Sequence, residues 1–378
     1  MTWPAVVVDQ ANLLQGSSTS IENKVLFVGH ANTNTGKLIS LNAQTDFDEV
    51  FGEEDHELKR GVMAAMNNAT SDWSAWAAIL APDDTDPDDW VDAVIASQKT
   101  ASCAGIVFSG EFSDPEIINT AATLRTTLIN TYSRWCWMVM SVSGPQDAES
   151  WDDYIVRMTA LQDGIAAYSV QLVPLLWKND PGALAGRLCK SSVTVADSPA
   201  RVATGPLVSI SQSTLPVDGT GKEIELSHLQ ALNEARFSVP MWYVDYDGCY
   251  WADAVTLDVE NGNYGIIENV RVTDKVCRQV RLKAIPKIKN RSLNSTPGST
   301  AANETYFAGV MRDMSKSVTI DGVQFPGEVQ PPLDGDVTIS WVDSSHVNIY
   351  LVVRPYNSAA VINVTVALDT SITTTEAA

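Results

Sequence analysis

The sequence has 378 residues, with 25 Lys and Arg against 46 Asp and Glu, for a net charge of −21. That length implies two or three domains, and so acidic a chain is ill suited to general nucleic-acid or anionic-membrane binding, since both need basic surface. Hydrophobic residues make up 45% and charged residues 19%, so core is ample and the surface must draw on uncharged polar side chains.

Residues 3–8 read as a strand, with Trp3 and three consecutive valines, Val6, Val7 and Val8. A polar stretch over 10–20 follows, which makes 1–20 an extended arm ahead of the body. A strand over 24–29 opens the body. Residues 46–66 read as a helix, because Leu58, Val62, Met63 and Met66 recur at helical spacing. Strand and helix then alternate: strand 76–81, helix 88–98, strand 105–108, helix 114–134, strand 136–142, helix 148–164, strand 168–177. Apolar strands separated by such helices indicate a parallel or mixed sheet covered on both faces.

The 178–226 stretch, rich in Gly, Pro, Ser and Thr, reads as connecting loops. A helix over 227–236 leads to strands 239–244 and 250–257, joined through Asp247-Gly248, a hairpin turn signal. A helix-like segment spans 264–285, a polar loop 290–303 and another helix 304–316. Strands 318–325, 337–342, 347–353 and 361–368 close the chain before a Thr-rich tail. The last strand alternates Ile362, Val364, Val366 and Leu368 with more polar neighbours, so it wants one face buried.

Local chemistry fails at each tempting motif. A phosphate loop needs four residues between its first Gly and the Gly-Lys pair, and Ser or Thr after the Lys. Here Ala31 precedes Gly36-Lys37 and Leu38 follows it. A calcium loop counted from Asp84 needs Gly sixth and Glu twelfth, where Asp89 and Ile95 stand. Those acids read instead as the first turn of a helix. The four histidines and five cysteines form no zinc or Cys-x-x-Cys spacing, and an odd set of scattered cysteines implies reduced thiols. No membrane-length apolar run and no signal-peptide pattern is found. No catalytic, cofactor or metal residue is therefore expected.

One charge feature stands apart. Arg271, Lys275, Arg278, Arg281, Lys283, Lys287, Lys289 and Arg291 face a single acid, Asp274, within 21 residues. A solvated helix face is the plain reading. Nucleic acid would need interleaved aromatics and a less acidic chain. An acidic protein partner, including another copy of this chain, fits an acidic molecule with one basic strip.

The C-terminal half carries a further pattern. Leu232-Asn233-Glu234-Ala235-Arg236 precedes the aromatic run Tyr243 to Trp251, and then comes Tyr264-Gly265-Ile266-Ile267-Glu268-Asn269-Val270-Arg271-Val272. With the closing Leu351-Val352-Val353-Arg354-Pro355 and Val361-Ile362-Asn363-Val364-Thr365-Val366, this succession resembles the contractile tail sheath proteins of bacteriophages and related injection systems. The resemblance covers 226–368; before that only the α/β texture matches.

It implies a mixed α/β and α+β multi-domain subunit with extended terminal β arms. Its expected divisions are an N-terminal arm (1–20), part of an inner domain (21–70), an outer α/β region (71–225), a C-terminal α+β inner domain (226–358) and a strand arm with tail (359–378). It implies a non-enzymatic virion tail protein without cofactor, assembled in the bacterial host cytoplasm. Stacked six-fold rings would surround an inner tail tube, contract by rigid-body subunit rearrangement to drive that tube through the host envelope, and meet baseplate and tail-terminator proteins. Direct nucleic-acid contact and membrane insertion are not expected. Trp3, Val6, Val7, Val8, Ile362, Val364, Val366 and Leu368 would join neighbouring subunits as strands. Arg271, Lys275, Arg278 and Arg281 would face an acidic surface on a neighbour or the tube. The competing reading is a soluble α/β nucleotide-dependent enzyme or binding protein with a degenerate phosphate loop at 29–37.

Overall fold

The computed structural model describes residues 21–70, 72–320 and 322–368; the strand expected at Trp3 to Val8 lies outside them. Its centre is a six-stranded sheet ordered β2-β3-β1-β4-β5-β6. The strands are β1 (Val25–His30), β2 (Leu38–Asn42), β3 (Ser74–Leu80), β4 (Gly105–Phe112), β5 (Trp137–Val142) and β6 (Val170–Pro174). All pairings are parallel except that of β2, which runs antiparallel on the edge. Successive residues alternate between two cores. Leu26, Val28, Ile106 and Phe108 enter one, and Val25, Phe27 and Val107 the other. This is why the strands are apolar throughout.

Helices α3 (Pro87–Ser97), α4 (Pro115–Tyr132), α5 (Trp151–Gln162) and α7 (Leu226–Glu234) cover the first face. Helices α1 (Phe47–Phe51), α2 (Glu57–Asn68) and α6 (Asp180–Leu188) cover the second. Asp114 caps α4 through the Glu116 amide, with Pro115 as the first helical residue. Since β1 pairs with both β3 and β4, residues 25–174 share one sheet. A boundary at 70/71 would cut through it.

Several expectations need correction. The 46–66 helix is two, because Gly52 at φ +93° ends α1. β2 adds a strand in a stretch to which the sequence pattern assigns no element, between the loop at 29–37 and residue 46. Helix α6 is fully buried inside the stretch read as connecting loops. There Gly182 and Gly186 let α6 lie against α2: a Cβ on Gly182 would stand 2.0 Å from the Gly61 carbonyl oxygen. In the hairpin of β7 (Val239–Tyr243) and β8 (Tyr246–Asp253), the turn is at Val244-Asp245, with Asp245 at φ +58°. Asp247-Gly248 instead lies within β8.

The rest of the chain is α8 (Ile267–Ala284), α9 (Pro297–Met314) and two hairpins, β9 (Val318–Ile320) with β10 (Val323–Phe325) and β11 (Val337–Trp341) with β12 (Val347–Leu351). α9 starts seven residues before the expected 304, capped by Thr296 onto the Ser299 amide, so Asn303 belongs to the helix. The single strand expected over 318–325 is a hairpin. α8 belongs to two cores: Ile267 and Val270 pack under the central sheet, Val272 and Val276 with Phe307, Val310 and Val337. Residues 361–368 form no strand among the described residues and every one is exposed.

Candidate functional site

The basic strip begins on α8, and the structure divides it. Arg271 is fully buried and its Nη2 donates to the Leu188 carbonyl at 2.8 Å. Lys275 holds the Glu328 carboxylate at 2.6 Å. Arg278 donates to the Trp135 carbonyl at 2.7 Å and pairs with Glu22 at 3.3 Å. Three of the four expected outward-facing cations are thus turned into their own chain. The physical reason is helical geometry: positions 271, 275 and 278 share one face, and that face is the one α8 lays against the body. Arg281, one turn further on, is exposed.

Asp274, the single acid in the run, is the centre of this contact. Its carboxylate receives two bonds from Arg125 of α4, at 2.7 and 3.1 Å, with both side chains buried. Burial alone would lower the Arg125 guanidinium, but Asp274 outweighs it and the group sits above its ordinary value. Sequence reading missed this pair. Its one signal was an isolated acid in a basic helix, a pattern that fits an inward face as well as an outward one.

Beyond Arg281 the chain exposes an apolar and basic surface. Leu282, Ile285 and Ile288 are exposed, with Lys287, Lys289 and Arg291 among them. Beside it lies a groove of about 800 Å³ between this segment and the β11–β12 hairpin. Phe307, Trp341, Val347 and Ile349 line its apolar part, and Lys287, Lys289 and Arg291 its basic part. The Trp341 indole Nε1 is buried with no hydrogen-bond partner. Both β11 and β12 are edge strands among the described residues. In contrast, Val361, Ile362, Val364, Val366 and Leu368 are 75–88% exposed, an apolar segment with nothing over it among the described residues.

The loop at 29–37 holds no phosphate cradle. His30 Nε2 lies 2.7 Å from the Asp84 carbonyl, and the Gly36 amide donates to Ile79 as the chain turns into β2. Among the described residues, no cluster of three or more His, Cys, Asp or Glu is placed to hold a metal. No helix among them is long and apolar enough to cross a membrane.

Two buried acids stand out. Asp180, at the start of α6, is pushed up to about 7 by burial, against backbone amide bonds that act the other way. Glu268, in the first turn of α8, is likewise raised to about 7, by burial first and by Asp253 in addition. It lines a cavity of about 210 Å³ under residues 355–358.

Comparison with known proteins matches two family models. The DUF2586 N-terminal domain spans residues 3–255 and the DUF2586 C-terminal domain 263–371. A protein of Haemophilus phage HP1 (strain HP1c1), assigned by inference as a tail sheath protein, is 46% identical over 374 residues, 97% of this chain and 98% of that one. Among solved structures, a chain in the six-fold-symmetrised baseplate of the anti-feeding prophage is similar at a TM-score of 0.61 and 11% identity, over 98% of this chain and 99% of that one. The sheath tail proteins of Listeria innocua (TM-score 0.56, 8% identity, 88% and 92% covered) and Desulfitobacterium hafniense (0.53, 11%, 93% and 96%) share the fold as well.

Proposed function

This chain belongs to the DUF2586 family and is a tail sheath protein of a phage or contractile injection system, and from that premise we propose that its C-terminal segment joins subunits into a contractile polymer. The observation that carries this reading is the exposure of Val361 to Leu368 in a chain whose β11–β12 hairpin has a free edge on each strand among the described residues. An extended segment with apolar residues at every second position adds naturally to a sheet edge. The β11–β12 hairpin and the groove beside it supply that edge on the neighbouring subunit. Burying Ile362, Val364, Val366 and Leu368 at about 25 cal/mol per Å² contributes several kcal/mol per joint before ordering costs. Residues 3–8, led by Trp3 and followed by Val6, Val7 and Val8, make the reciprocal joint.

In this reading the subunits stack as six-fold rings around an inner tube, between baseplate and terminator proteins, and are assembled in the host cytoplasm. Contraction is a rigid-body reorientation of bodies that stay joined through their arms, and the driving energy is stored in the extended lattice rather than released by hydrolysis. The protein is then not an enzyme and touches no nucleic acid directly. Arg281 and the exposed cations after it meet an acidic surface on a neighbour or on the tube.

The test is truncation. Deleting residues 359–378, or residues 1–15, should leave a chain that melts as before but no longer forms rings or tubes in negative-stain images. Normal assembly of either truncated chain would overturn the arm reading. Failure of the shortened chain to fold would do so too, by placing the segment inside its own subunit.

A further inference from the structure

We propose that the cavity beneath residues 355–358 is a binding site for a lysine or arginine side chain of a second copy of this chain, with Glu268 as its counter-ion. The inference rests on the assembly reading above and adds a specific polar contact at the root of the C-terminal segment. Glu268 and Asn269 form one wall, from the first turn of α8; Tyr356, Asn357 and Ser358 form the other, just before the exposed segment begins. A volume of about 210 Å³ admits one long side chain and excludes a folded element.

The chemistry of the walls selects a cation. Glu268 is 7% exposed; burial disfavours its charged form, a backbone amide and a Ser198 side-chain bond favour it, and its Oε2 has no hydrogen-bond partner. A buried carboxylate in that state is costly unless a positive group reaches it. The charged groups around it do not balance: Arg271 favours the ionised form and Asp253 opposes it. Arg271, one turn along α8, directs its Nη2 to the Leu188 carbonyl, its Nε and Nη1 find no hydrogen-bond partner, and it makes no ion pair with Glu268 among the described residues. Asp253, at the end of β8, adds negative charge, and Glu328 is held by Lys275. The site therefore has one negative charge in excess. The amides of Asn269 and Asn357 and the Ser358 hydroxyl bring acceptors for the remaining N–H groups of an ammonium or guanidinium, and Tyr356 adds an aromatic side chain to the lining.

The second copy is the source the charge distribution favours. Residues 281–291 contain no acid, and Arg281, Lys289 and Arg291 are exposed with no ion pair among the described residues. They are the complement to a buried acid that lacks an ion pair among the described residues, in an otherwise acidic molecule. A cation entering the cavity favours ionised Glu268, so docking releases a proton. Contact between copies must then strengthen as pH rises through about 7 and level off above it.

Two measurements test this. On the dispersed chain, the carboxyl carbon of Glu268 is followed by NMR against pH, in sodium chloride and in ethylguanidinium chloride of equal ionic strength. Ethylguanidinium should lower its midpoint by about one pH unit, a tenfold preference for the ionised form; an unchanged midpoint overturns the site. For the source, pelleting assays compare wild type, Glu268→Gln, and Arg281→Gln, Lys289→Gln and Arg291→Gln, alone and each combined with Glu268→Gln. Glu268→Gln should raise the critical concentration several-fold above neutral pH and flatten its pH dependence. One of the three cation variants should match it, with no further loss in the double variant. Full additivity of all three overturns the second copy as source, even where the ethylguanidinium arm succeeds. A wild-type chain that never assembles would sink the assembly reading, and with it the second copy, but would leave the ethylguanidinium result to judge the cavity.

Discussion

The central sheet and the C-terminal region solve the burial problem in opposite ways. In the first, six strands are covered on both faces by seven helices, and nearly every apolar side chain finds its partner within the chain. In the second, α8, α9 and the β11–β12 hairpin share a small core, while Ile362, Val364, Val366 and Leu368 are exposed among the described residues. A monomer evolved to act alone would gain by covering them. A polymer needs a body that keeps its shape while its joints are made by something else, and the difference between the regions is that division. α8 belongs to both, which makes it the place to separate them.

The largest effect is expected at Asp274. Its bidentate bond with Arg125 ties α8 to α4 where both side chains are buried. Asp274→Ala leaves a buried guanidinium with the Cys136 carbonyl and the Tyr168 hydroxyl to accept from it but no counter-charge, and removing one partner of such a pair costs about 3–5 kcal/mol. The melting curve should then split, with the C-terminal region lost first and the sheet body at higher temperature. A single transition at the wild-type midpoint would show that the two regions are held together by their apolar contacts alone.

Next comes a pH effect on the body. Asp180 sits at about 7 because it is buried, whereas an unfolded Asp titrates near 4. The folded chain thus holds a proton that the unfolded chain gives up, so stability is full below about pH 4 and falls as pH rises through about 7. Asp180→Asn should remove about 2–4 kcal/mol of that slope, read from urea midpoints across pH. Glu268→Gln should remove a separate share with the same sign, in the transition that belongs to the C-terminal region. If both acids act on one transition, the regions unfold as a unit.

A smaller loss is expected at Gly182→Ala. The new methyl would meet the Gly61 backbone at 2.0 Å, and parting α6 from α2 costs about 1–3 kcal/mol. Urea unfolding should show the loss in the body, with assembly of the folded fraction unchanged. Reduced assembly per folded subunit would mean that the α2–α6 seam is also a contact between copies.

Much of the sheet was legible in the sequence because its strands are apolar throughout and its helices carry clear starts, as at Asp114-Pro115. α6 was not. Its Asp180-Pro181-Gly182 start and its second glycine are the residues of a loop by propensity, and only close contact with α2 makes a helix of them. The hairpin turn fell on Val244-Asp245 because the Tyr243–Tyr246 register overrides the stronger Asp-Gly turn signal. On α8 the charges were visible but their direction was not, since a helix face carries no sign of which neighbour it meets. The terminal segment reads as an alternating strand, and among the described residues nothing pairs with it.

The finest comparison lies within one helix turn. Arg278 is mostly buried, donating to the Trp135 carbonyl and pairing with Glu22; Arg281 is exposed with no ion partner among the described residues. Arg278→Gln gives up a charge-assisted bond to a carbonyl that is then left without its donor, a loss of about 1 kcal/mol in the stability of the dispersed chain. Arg281→Gln should leave that stability unchanged. Its effect belongs to assembly, and screening decides how it appears: a contact between exposed charges weakens as salt shortens the Debye length toward a few ångströms. Pelleting should therefore separate Arg281→Gln from wild type at low salt and bring them together at high salt, while Arg278→Gln shifts thermal stability at both. If Arg281→Gln changes stability and not the salt dependence of pelleting, the line between body and joint does not fall where α8 leaves the body's surface, and Arg281 belongs with the residues that hold the chain to itself.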